Sequence, residues 1–280
     1  MRLERLVEAS RQIAATSSRL AKIQLLADLL REAGPEEIGL AIAYLSGAVR
    51  QAKLGIGWAS IAAARVGPAA ESSREPAAGS GPPAASASLQ VAEVDAVLAR
   101  VASTTGKGSA AARSALLRDL FGRATADEQD FLVRLLTGEL RQGALEGIMV
   151  EAVASAASLP AADVRRAAML SGNLGEVART ALGEGAAGLA RHSIVLFRPV
   201  RPMLAGTAEG VKDAIDRHGR VAFEYKFDGA RMQVHKSGDE VRVFSRLMNE
   251  VTVAVPEVVA AARALPFDEA ILDGEAIALD

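Results

Sequence analysis

The spacing of apolar residues changes once along this chain, at about Arg198, and this change restricts the possible folds more than any other feature. Upstream, apolar residues recur at helical intervals, as Leu26, Leu29 and Leu30 do. Downstream, residues 231–235 alternate between polar and apolar side chains, which is the period of a strand. We therefore predict an all-α region followed by a sheet-based α/β region.

Helix-start signals support the first part of this division. Ser17 or Ser18 can cap a helix, and Thr125 with Glu128 forms a capping-box pattern. The apolar stripes behind these caps are Leu20, Ile23, Leu26, Leu29 and Leu30, and then Phe131, Leu132, Leu135 and Leu136.

Residues 67–88 interrupt the helical region with a composition rich in Ala, Pro, Gly and Ser. Such a segment buries too little apolar surface to offset chain entropy, so we predict a disordered loop or linker. We accordingly expect a helical domain over residues 1–195, with this linker inside it, and an α/β domain over residues 196–280.

Composition narrows the function classes only slightly. The chain of 280 residues is long enough for two domains, and it contains no cysteine, which excludes disulfides and cysteine-ligated zinc within it. The net charge of −2 gives no general support for nucleic-acid binding, so any DNA contact needs a local cluster of cations. Charges interrupt every apolar run, which predicts a soluble, cytoplasmic protein without a membrane span.

The second region is predicted to be a small sheet with one helix. Residues 237–239 (Ser-Gly-Asp) are typical of a hairpin turn, and a helix is expected over residues 257–264. Strands are predicted at residues 221–225, 231–235, 241–244, 271–272 and 276–279.

The stretch with the most chemical content begins at Glu224 and ends at Arg231. Lys226 follows a predicted strand, and the Asp228-Gly229 pair turns the chain so that backbone can approach a ligand closely. A lysine amine becomes a nucleophile when burial and nearby cations lower its pKa, and arginine can bind phosphate through two donors. This arrangement suits covalent capture of a phosphoryl group, while the alternative is an ordinary turn with a solvent-facing lysine.

Residues 226–231 (Lys-Phe-Asp-Gly-Ala-Arg) resemble motif I of the covalent nucleotidyltransferases, the superfamily of DNA ligases, RNA ligases and mRNA capping enzymes. Residues 244–246 (Phe-Ser-Arg) and 272–276 (Leu-Asp-Gly-Glu-Ala) resemble the next two motifs of ATP-dependent DNA ligases, in the same order. Residues 201–205 (Arg-Pro-Met-Leu-Ala) resemble the segment that opens their adenylation domain.

The resemblance extends into the helical region. Residues 138–144 (Gly-Glu-Leu-Arg-Gln-Gly-Ala) are similar to the Leu-Arg-x-Gly signature of the DNA-binding domain in larger ATP-dependent ligases. Residues 45–47 and 54–58 also fit that domain. The bacterial and archaeal-type branch, including ligase B of actinobacteria, matches best, with an ATP-grasp-like nucleotidyltransferase domain implied for residues 196–280.

The resemblance implies a role for each residue of motif I. Lys226 would attack the α-phosphate of ATP and carry AMP, and Glu224 would recognise the adenine amino group. Asp228 and Gly229 would shape the turn of the motif.

The later motifs imply further contacts with the nucleotide. Arg231 and Arg246 would contact the ribose or phosphates, and Glu275 would contact the ribose and help to hold a metal. Mg²⁺ would neutralise the triphosphate and the departing pyrophosphate. Outside the family context, Arg246 could equally be a surface strand residue, and residues 273–275 would more often form a turn.

Lys107, Arg141 and Gly143 are the predicted DNA contacts. Gly106 and Gly108 flank Lys107, which favours loops whose amides and cations meet phosphates, although solvated charges would look the same. The implied partner is nicked double-stranded DNA, bound by a monomer in repair, replication or recombination.

The resemblance implies a three-step reaction: Lys226 takes AMP from ATP, AMP passes to the 5′-phosphate at a nick, and the 3′-hydroxyl then attacks that phosphate and releases AMP. The sequence ends at Asp280, shortly after the third motif, so we expect a fragment that cannot itself seal nicks. The alternatives are a non-catalytic duplex-DNA-binding remnant, and an RNA ligase or capping-type enzyme.

Overall fold

A computed structural model describes residues 1–51, 53–65, 89–140, 146–202, 207–222 and 224–277. The predicted linker at residues 67–88 and the predicted DNA contacts Arg141 and Gly143 lie outside these ranges. Contacts divide the chain into two compact units: a helical unit, Met1–Arg165 with Leu174–Arg191, and a sheet unit, Arg166–Asn173 with His192–Asp280. Within the described ranges, no helix combines the length and apolarity needed to span a bilayer.

The predicted all-α region is confirmed as a succession of helices through residue 189. They are α1 (Leu3–Ala15), α2 (Arg19–Glu32), α3 (Ile38–Leu45), α4 (Trp58–Ala64), α5 (Val91–Ser103), α6 (Ser109–Gly122), α7 (Ala126–Leu136), α8 (Glu146–Ala157), α9 (Ala161–Ser171) and α10 (Leu174–Leu189), the last kinked at Gly185.

Both predicted caps are present. Ser18 accepts a hydrogen bond from the Ala21 amide at 3.3 Å. Thr125 accepts one from the Glu128 amide at 3.3 Å, and its own amide donates to the Glu128 carboxylate at 2.9 Å. These contacts satisfy amides that have no partner inside a helix, so they fix where α2 and α7 begin.

The predicted apolar stripe of α2 was wrong at Leu20, which is 78% exposed. Leu26, Leu29 and Leu30 are buried, and α2 packs against α8. Six residues of helix turn through about 600°, which places Leu20 well away from the side occupied by Leu26.

Two of the upstream signature segments pack against each other. Gly47, in the turn after α3, has a φ of +77°, and a Cβ atom there would lie 2.9 Å from the Leu140 carbonyl oxygen. Leu45 and Leu140 are both buried. The backbone approach therefore requires glycine at position 47.

The sheet unit contains a three-stranded antiparallel sheet in the order β2-β1-β3. The strands are β1 (Ala230–Ser237), β2 (Glu240–Ser245) and β3 (Glu269–Ala276), accompanied by helices α11 (Val211–His218) and α12 (Pro256–Arg263). The predicted hairpin is confirmed, with Gly238 at a φ of +55°. The main core cluster of the sheet unit consists of Val234, Val241, Val243, Val259 and Ala262.

One strand prediction fails in this unit, and the break predicted between two other strands is wrong. Residues 221–222 and 224–225 are irregular, because a strand needs hydrogen-bonded neighbours and β1 does not begin until Ala230. In contrast, β3 runs through Asp273 and Gly274 without a break, since both pair with β1 opposite Gln233 and Met232. Long-range pairing therefore replaces the turn that the Asp-Gly pair suggests locally.

Candidate functional site

β1 and β3 bring the first and third predicted motifs together. Arg231 lies opposite Glu275 in the strand register. Its guanidinium donates to both carboxylate oxygens of Asp273, from Nε at 3.1 Å and from Nη2 at 2.6 Å. The hydrogen bonds that Arg231 donates to Asp273 raise the pKa of Arg231 above its ordinary value, so the side chain is charged and held in one orientation.

Gly229 is the second link between these motifs. Its amide donates to Oε1 of Glu275 at 3.1 Å. A Cβ atom at this position would lie 2.3 Å from the Ala276 carbonyl oxygen and 2.7 Å from Cγ2 of Ile277. Glycine is therefore required because the backbone of motif I lies against β3, which adds a structural reason to the predicted turn.

Lys226 lies on an exposed, irregular stretch that leads into β1. Glu224 and Asp228 are exposed on the same stretch. The rings of Tyr225 and Phe227 flank the lysine along the chain, with centroids 6.4 Å apart, and Tyr225 is 89% exposed. The nucleophile candidate is thus accessible and uncovered.

A small cavity in the sheet unit, of about 10 Å³, is lined by both Arg231 and Arg246, the candidate from the second motif. Asp273 and Pro202 also line it, so all three adenylation motifs and the opening segment contribute. Its remaining lining residues are Pro199, Val200, Met232, Gln233, Ser245 and Met248. Glu224 and Lys226 lie outside this pocket.

Two residues that the sequence did not single out hold residues 197–200, just before the opening segment, on β1. The buried His235 accepts the Phe197 amide at Nδ1, at 2.8 Å, and its Nε2 lies 2.9 Å from the Gln233 side-chain oxygen. That oxygen accepts the Val200 amide at 2.7 Å, and the Gln233 amide group donates to the Val200 carbonyl at 3.2 Å. The sequence signal for these two residues was their alternation as polar side chains, Gln233 and His235, along a half-buried strand.

Glu275 is the predicted metal ligand, and it does not belong to a cluster of metal-binding side chains among the described residues. Among the residues that the structure describes, no group of three or more His, Asp or Glu side chains is arranged around a common point. Glu275 contacts the Gly229 amide, and Asp273 is paired with Arg231. Among the described residues, therefore, protein carboxylates alone do not form a Mg²⁺ site.

Lys107 is the predicted DNA contact that the structure does describe. It is exposed between Gly106 and Gly108, whose φ angles are +86° and +83°, immediately before α6. The glycine loop predicted there is therefore present.

Comparisons with known proteins agree with the motifs. The family described as "DNA ligase N terminus" matches residues 2–154, and that described as "ATP dependent DNA ligase domain" matches residues 202–280. A "Probable DNA ligase" of Anaeromyxobacter sp. (strain Fw109-5) is 52% identical over 279 residues, which is 100% of this chain and 51% of the relative. Another, from Mycolicibacterium gilvum (strain PYR-GCK), is 52% identical over 272 residues, 97% of this chain and 50% of the relative.

A solved structure named Pmar-Lig_PreS3 shares 15% identity with a TM-score of 0.49, covering 98% of this chain and 50% of that one, a likeness too weak to support an argument. The chain spans about half the length of the curated relatives that it matches. With one family match over residues 2–154 and a second over the residues that carry the adenylation motifs, the chain belongs to the ATP-dependent DNA ligases.

Proposed function

We propose that Lys226 accepts AMP from ATP as the first step of nick sealing. Its Nζ, deprotonated, attacks the α-phosphorus and forms a P–N bond. The bond from that phosphorus to the oxygen bridging to the β-phosphate breaks, and pyrophosphate leaves with the electron pair. The product is a lysine-AMP phosphoramidate, from which AMP passes to the 5′-phosphate of the nick.

The observation that carries this proposal is that β1, β2 and β3 bring Arg231, Arg246 and Asp273, one residue from each adenylation motif, to the lining of one small cavity. Asp273 holds Arg231 through Nε and Nη2, so Nη1 is the donor that is proposed to contact a phosphate or ribose oxygen. Glu275 is proposed to contact the ribose, and Glu224 the adenine amino group.

Lys226 needs a covered environment before it can react. A solvated ammonium is a poor nucleophile, and lysines gain reactivity when they are desolvated or placed near other cations. Because the stretch from Glu224 to Ala230 is exposed, bound ATP or additional protein has to cover it. Tyr225 and Phe227 offer apolar surface for that cover.

Mg²⁺ is proposed to accompany ATP, with its charge balancing the phosphates. Such ions are commonly held by one or two carboxylates together with substrate phosphates, and Glu275 is the proposed protein contact. Because no protein site of three ligands is present among the described residues, the steps above are assigned to side chains and not to the ion.

Nicked double-stranded DNA is the proposed partner of the helical domain, residues 1–195, bound by a monomer. Residues 196–280 are proposed to form part of an ATP-grasp-like adenylation domain. Lys107 in its glycine loop, with Arg141 and Gly143, is proposed to contact backbone phosphates. Binding should therefore be independent of sequence and should weaken steeply with salt.

Covalent labelling tests the proposal directly. The protein is incubated with ATP radiolabelled at the α-phosphate, and with GTP or NAD labelled in the same position. We expect label from ATP that is lost in Lys226→Ala and kept in Lys212→Ala, an exposed lysine of α11 in the same unit. Label from GTP would instead favour a capping-type enzyme.

A second candidate function has its own outcome. If no nucleotide labels the protein but nicked duplex binds in a salt-dependent manner, the chain is a non-catalytic DNA-binding remnant. The exposed position of Lys226 is the observation that favours this alternative.

A further inference from the structure

Two exposed loops of the helical unit each lead into a helix and each carry a lysine. The first, residues 53–57, contains Lys53 and ends at Gly57, the N-cap of α4. The second, residues 104–108, contains Lys107 and ends at Gly108, the N-cap of α6. We name them the first and second lysine loops.

One side chain joins these loops. Arg113, in the second turn of α6, donates from Nη1 to the Gly55 carbonyl at 2.8 Å. It also donates from Nε and Nη2 to the Thr104 carbonyl, at 3.1 and 2.7 Å. Thr104 is the C-cap of α5, where carbonyls lack helical partners, so the guanidinium ties a helix end to a distant loop.

Gly55 allows the first lysine loop to lie directly on this guanidinium. Its φ is +64°, and a Cβ atom there would lie 2.5 Å from Nη1 and 2.9 Å from Cζ of Arg113. Any larger residue would both strain the backbone and push the guanidinium away.

The joined loops form a surface that favours anions. Lys53 and Lys107 are exposed, and neither forms an ion pair within the part of the chain that the structure describes. Among the described residues, Arg113 donates to the carbonyls of Gly55 and Thr104 and forms no ion pair with a carboxylate, so its charge is not cancelled there. The amide end of α6 adds partial positive charge at the second lysine loop.

We propose that Arg113 is a positioning residue that holds the two lysine loops as one surface, so that Lys53 and Lys107 engage backbone phosphates of duplex DNA together. This inference rests on the proposed DNA binding by the helical domain. It assigns a contact, Lys53, and a support, Arg113, that the sequence motifs do not indicate.

The test compares Arg113→Ala with Arg118→Ala in the 280-residue chain, binding a nicked duplex at several salt concentrations. Arg118 is an exposed cation on the same helix, so both variants lose one charge. Each phosphate contact steepens the fall of the logarithm of the binding constant with the logarithm of salt concentration by about 0.9. One contact therefore increases the affinity at 0.1 M salt, relative to 1 M salt, by about tenfold. We expect Arg113→Ala to lose about two contacts and Arg118→Ala at most one.

Amide hydrogen exchange measures whether Arg113 holds the two lysine loops, independently of DNA binding. In the DNA-free protein, residues 53–57 and 104–108 should exchange faster in Arg113→Ala, with the interior of α6 unchanged. Arg113→Lys keeps the charge but cannot reach both carbonyls with a planar fork, so it should behave like the alanine variant. Gly55→Ala, which displaces the guanidinium, is a second route to the same effect if Arg113→Ala fails to fold.

The outcomes are distinct. If the wild-type chain does not bind duplex DNA but Arg113→Ala speeds amide exchange in both lysine loops, the proposed DNA binding is wrong. The structural role of Arg113 in holding the loops is then still supported. If the wild type binds and Arg113→Ala matches Arg118→Ala in slope, or Arg113→Lys binds as the wild type does, the positioning role is overturned.

Discussion

Gly229 is the single residue on which the contact between motif I and β3 most depends. A methyl group there would meet the Ala276 carbonyl oxygen at 2.3 Å, and backbone cannot move aside as a flexible side chain can. We predict that Gly229→Ala weakens the β1–β3 pairing at Ala230, destabilises the sheet unit by about 1–3 kcal/mol and removes Lys226 labelling by ATP. Urea unfolding and the labelling assay measure the two effects.

Gly274→Ala is the matched control for this prediction. Gly274 is also in the β1–β3 pair, but a Cβ atom there would meet nothing within 4 Å. Its substitution should leave stability unchanged or raise it slightly, because the unfolded chain loses freedom. Equal effects of the two substitutions would show that the close approach at Gly229 does not matter.

Gly47 and Gly138 separate backbone strain from steric contact in the helical unit. Both have positive φ, but only at Gly47 would a Cβ atom meet backbone, the Leu140 carbonyl oxygen at 2.9 Å. We predict that Gly138→Ala costs about 1 kcal/mol and Gly47→Ala clearly more. Chemical unfolding of both variants measures the difference, and a ranking in the opposite order would contradict the contact.

At this scale the sequence predicted candidate site residues more readily than their contacts. The spacing from Lys226 to Arg231 suited capture of a phosphoryl group, and the later motifs were needed to favour this prediction over an ordinary turn. The partner of Arg231 is Asp273, which lies on another strand, and no local pattern could predict that pairing. Residues that act through long-range contacts, such as His235 and Arg113, were missed for the same reason.

At the scale of elements, the hydrogen bonding of residues 197–200 to β1 should depend on pH. His235 accepts the Phe197 amide, and burial lowers its pKa below the ordinary value of about 6.5. Phe197 and Phe244 pack around the imidazole, and the Arg242 guanidinium lies over the Phe197 ring at 4.8 Å. Burial therefore disfavours a positive charge at His235 in the folded state.

The sign of the pH effect follows from this lowered pKa. Below about pH 6.5 the unfolded state binds the proton more readily than the folded state, so stability falls as pH decreases and is complete above that value. Protonation also converts Nδ1 from acceptor to donor, which breaks the hydrogen bond from Phe197. We predict that exchange protection of the Phe197 and Val200 amides declines below about pH 6.5.

His235→Asn keeps an acceptor near the position of Nδ1 but cannot titrate, so its protection should no longer vary with pH in this range. His218→Asn, which removes an exposed histidine of α11, should leave the pH dependence intact. Unchanged pH dependence in His235→Asn would assign the effect to another group.

The elements that the sequence predicted correctly are those with local signals. Capping residues fixed the starts of α2 and α7, and the Ser-Gly-Asp turn fixed the β1–β2 hairpin. The errors occur where distant pairing decides the conformation. β3 is continuous across Asp273 and Gly274 because β1 pairs with it. Residues 221–222 and 224–225 have side chains typical of a strand, but their backbone is irregular.

For the molecule as a whole, the two units differ in how well each is packed. The helical unit buries large side chains on most of its helices, including Leu3, Tyr44, Leu98 and Phe121. The main core cluster of the sheet unit consists of valines and one alanine, with Phe244 as a buried aromatic residue of its strands, and α11 buries none of its residues. Val253 is 96% exposed and Leu247 77% exposed in the same unit. A unit with less buried apolar surface is expected to be less stable.

We therefore predict that thermal unfolding of the chain occurs in two transitions, with the sheet unit unfolding first. Thr125→Ala removes the capping box of α7 and should lower only the upper transition, by about 2–4 °C for a loss near 1 kcal/mol. Gly229→Ala should lower only the lower transition. Calorimetry of the wild type and both variants tests this assignment. A single transition shifted by both substitutions would mean that the helical and sheet units unfold together, and that the packing of one stabilises the other.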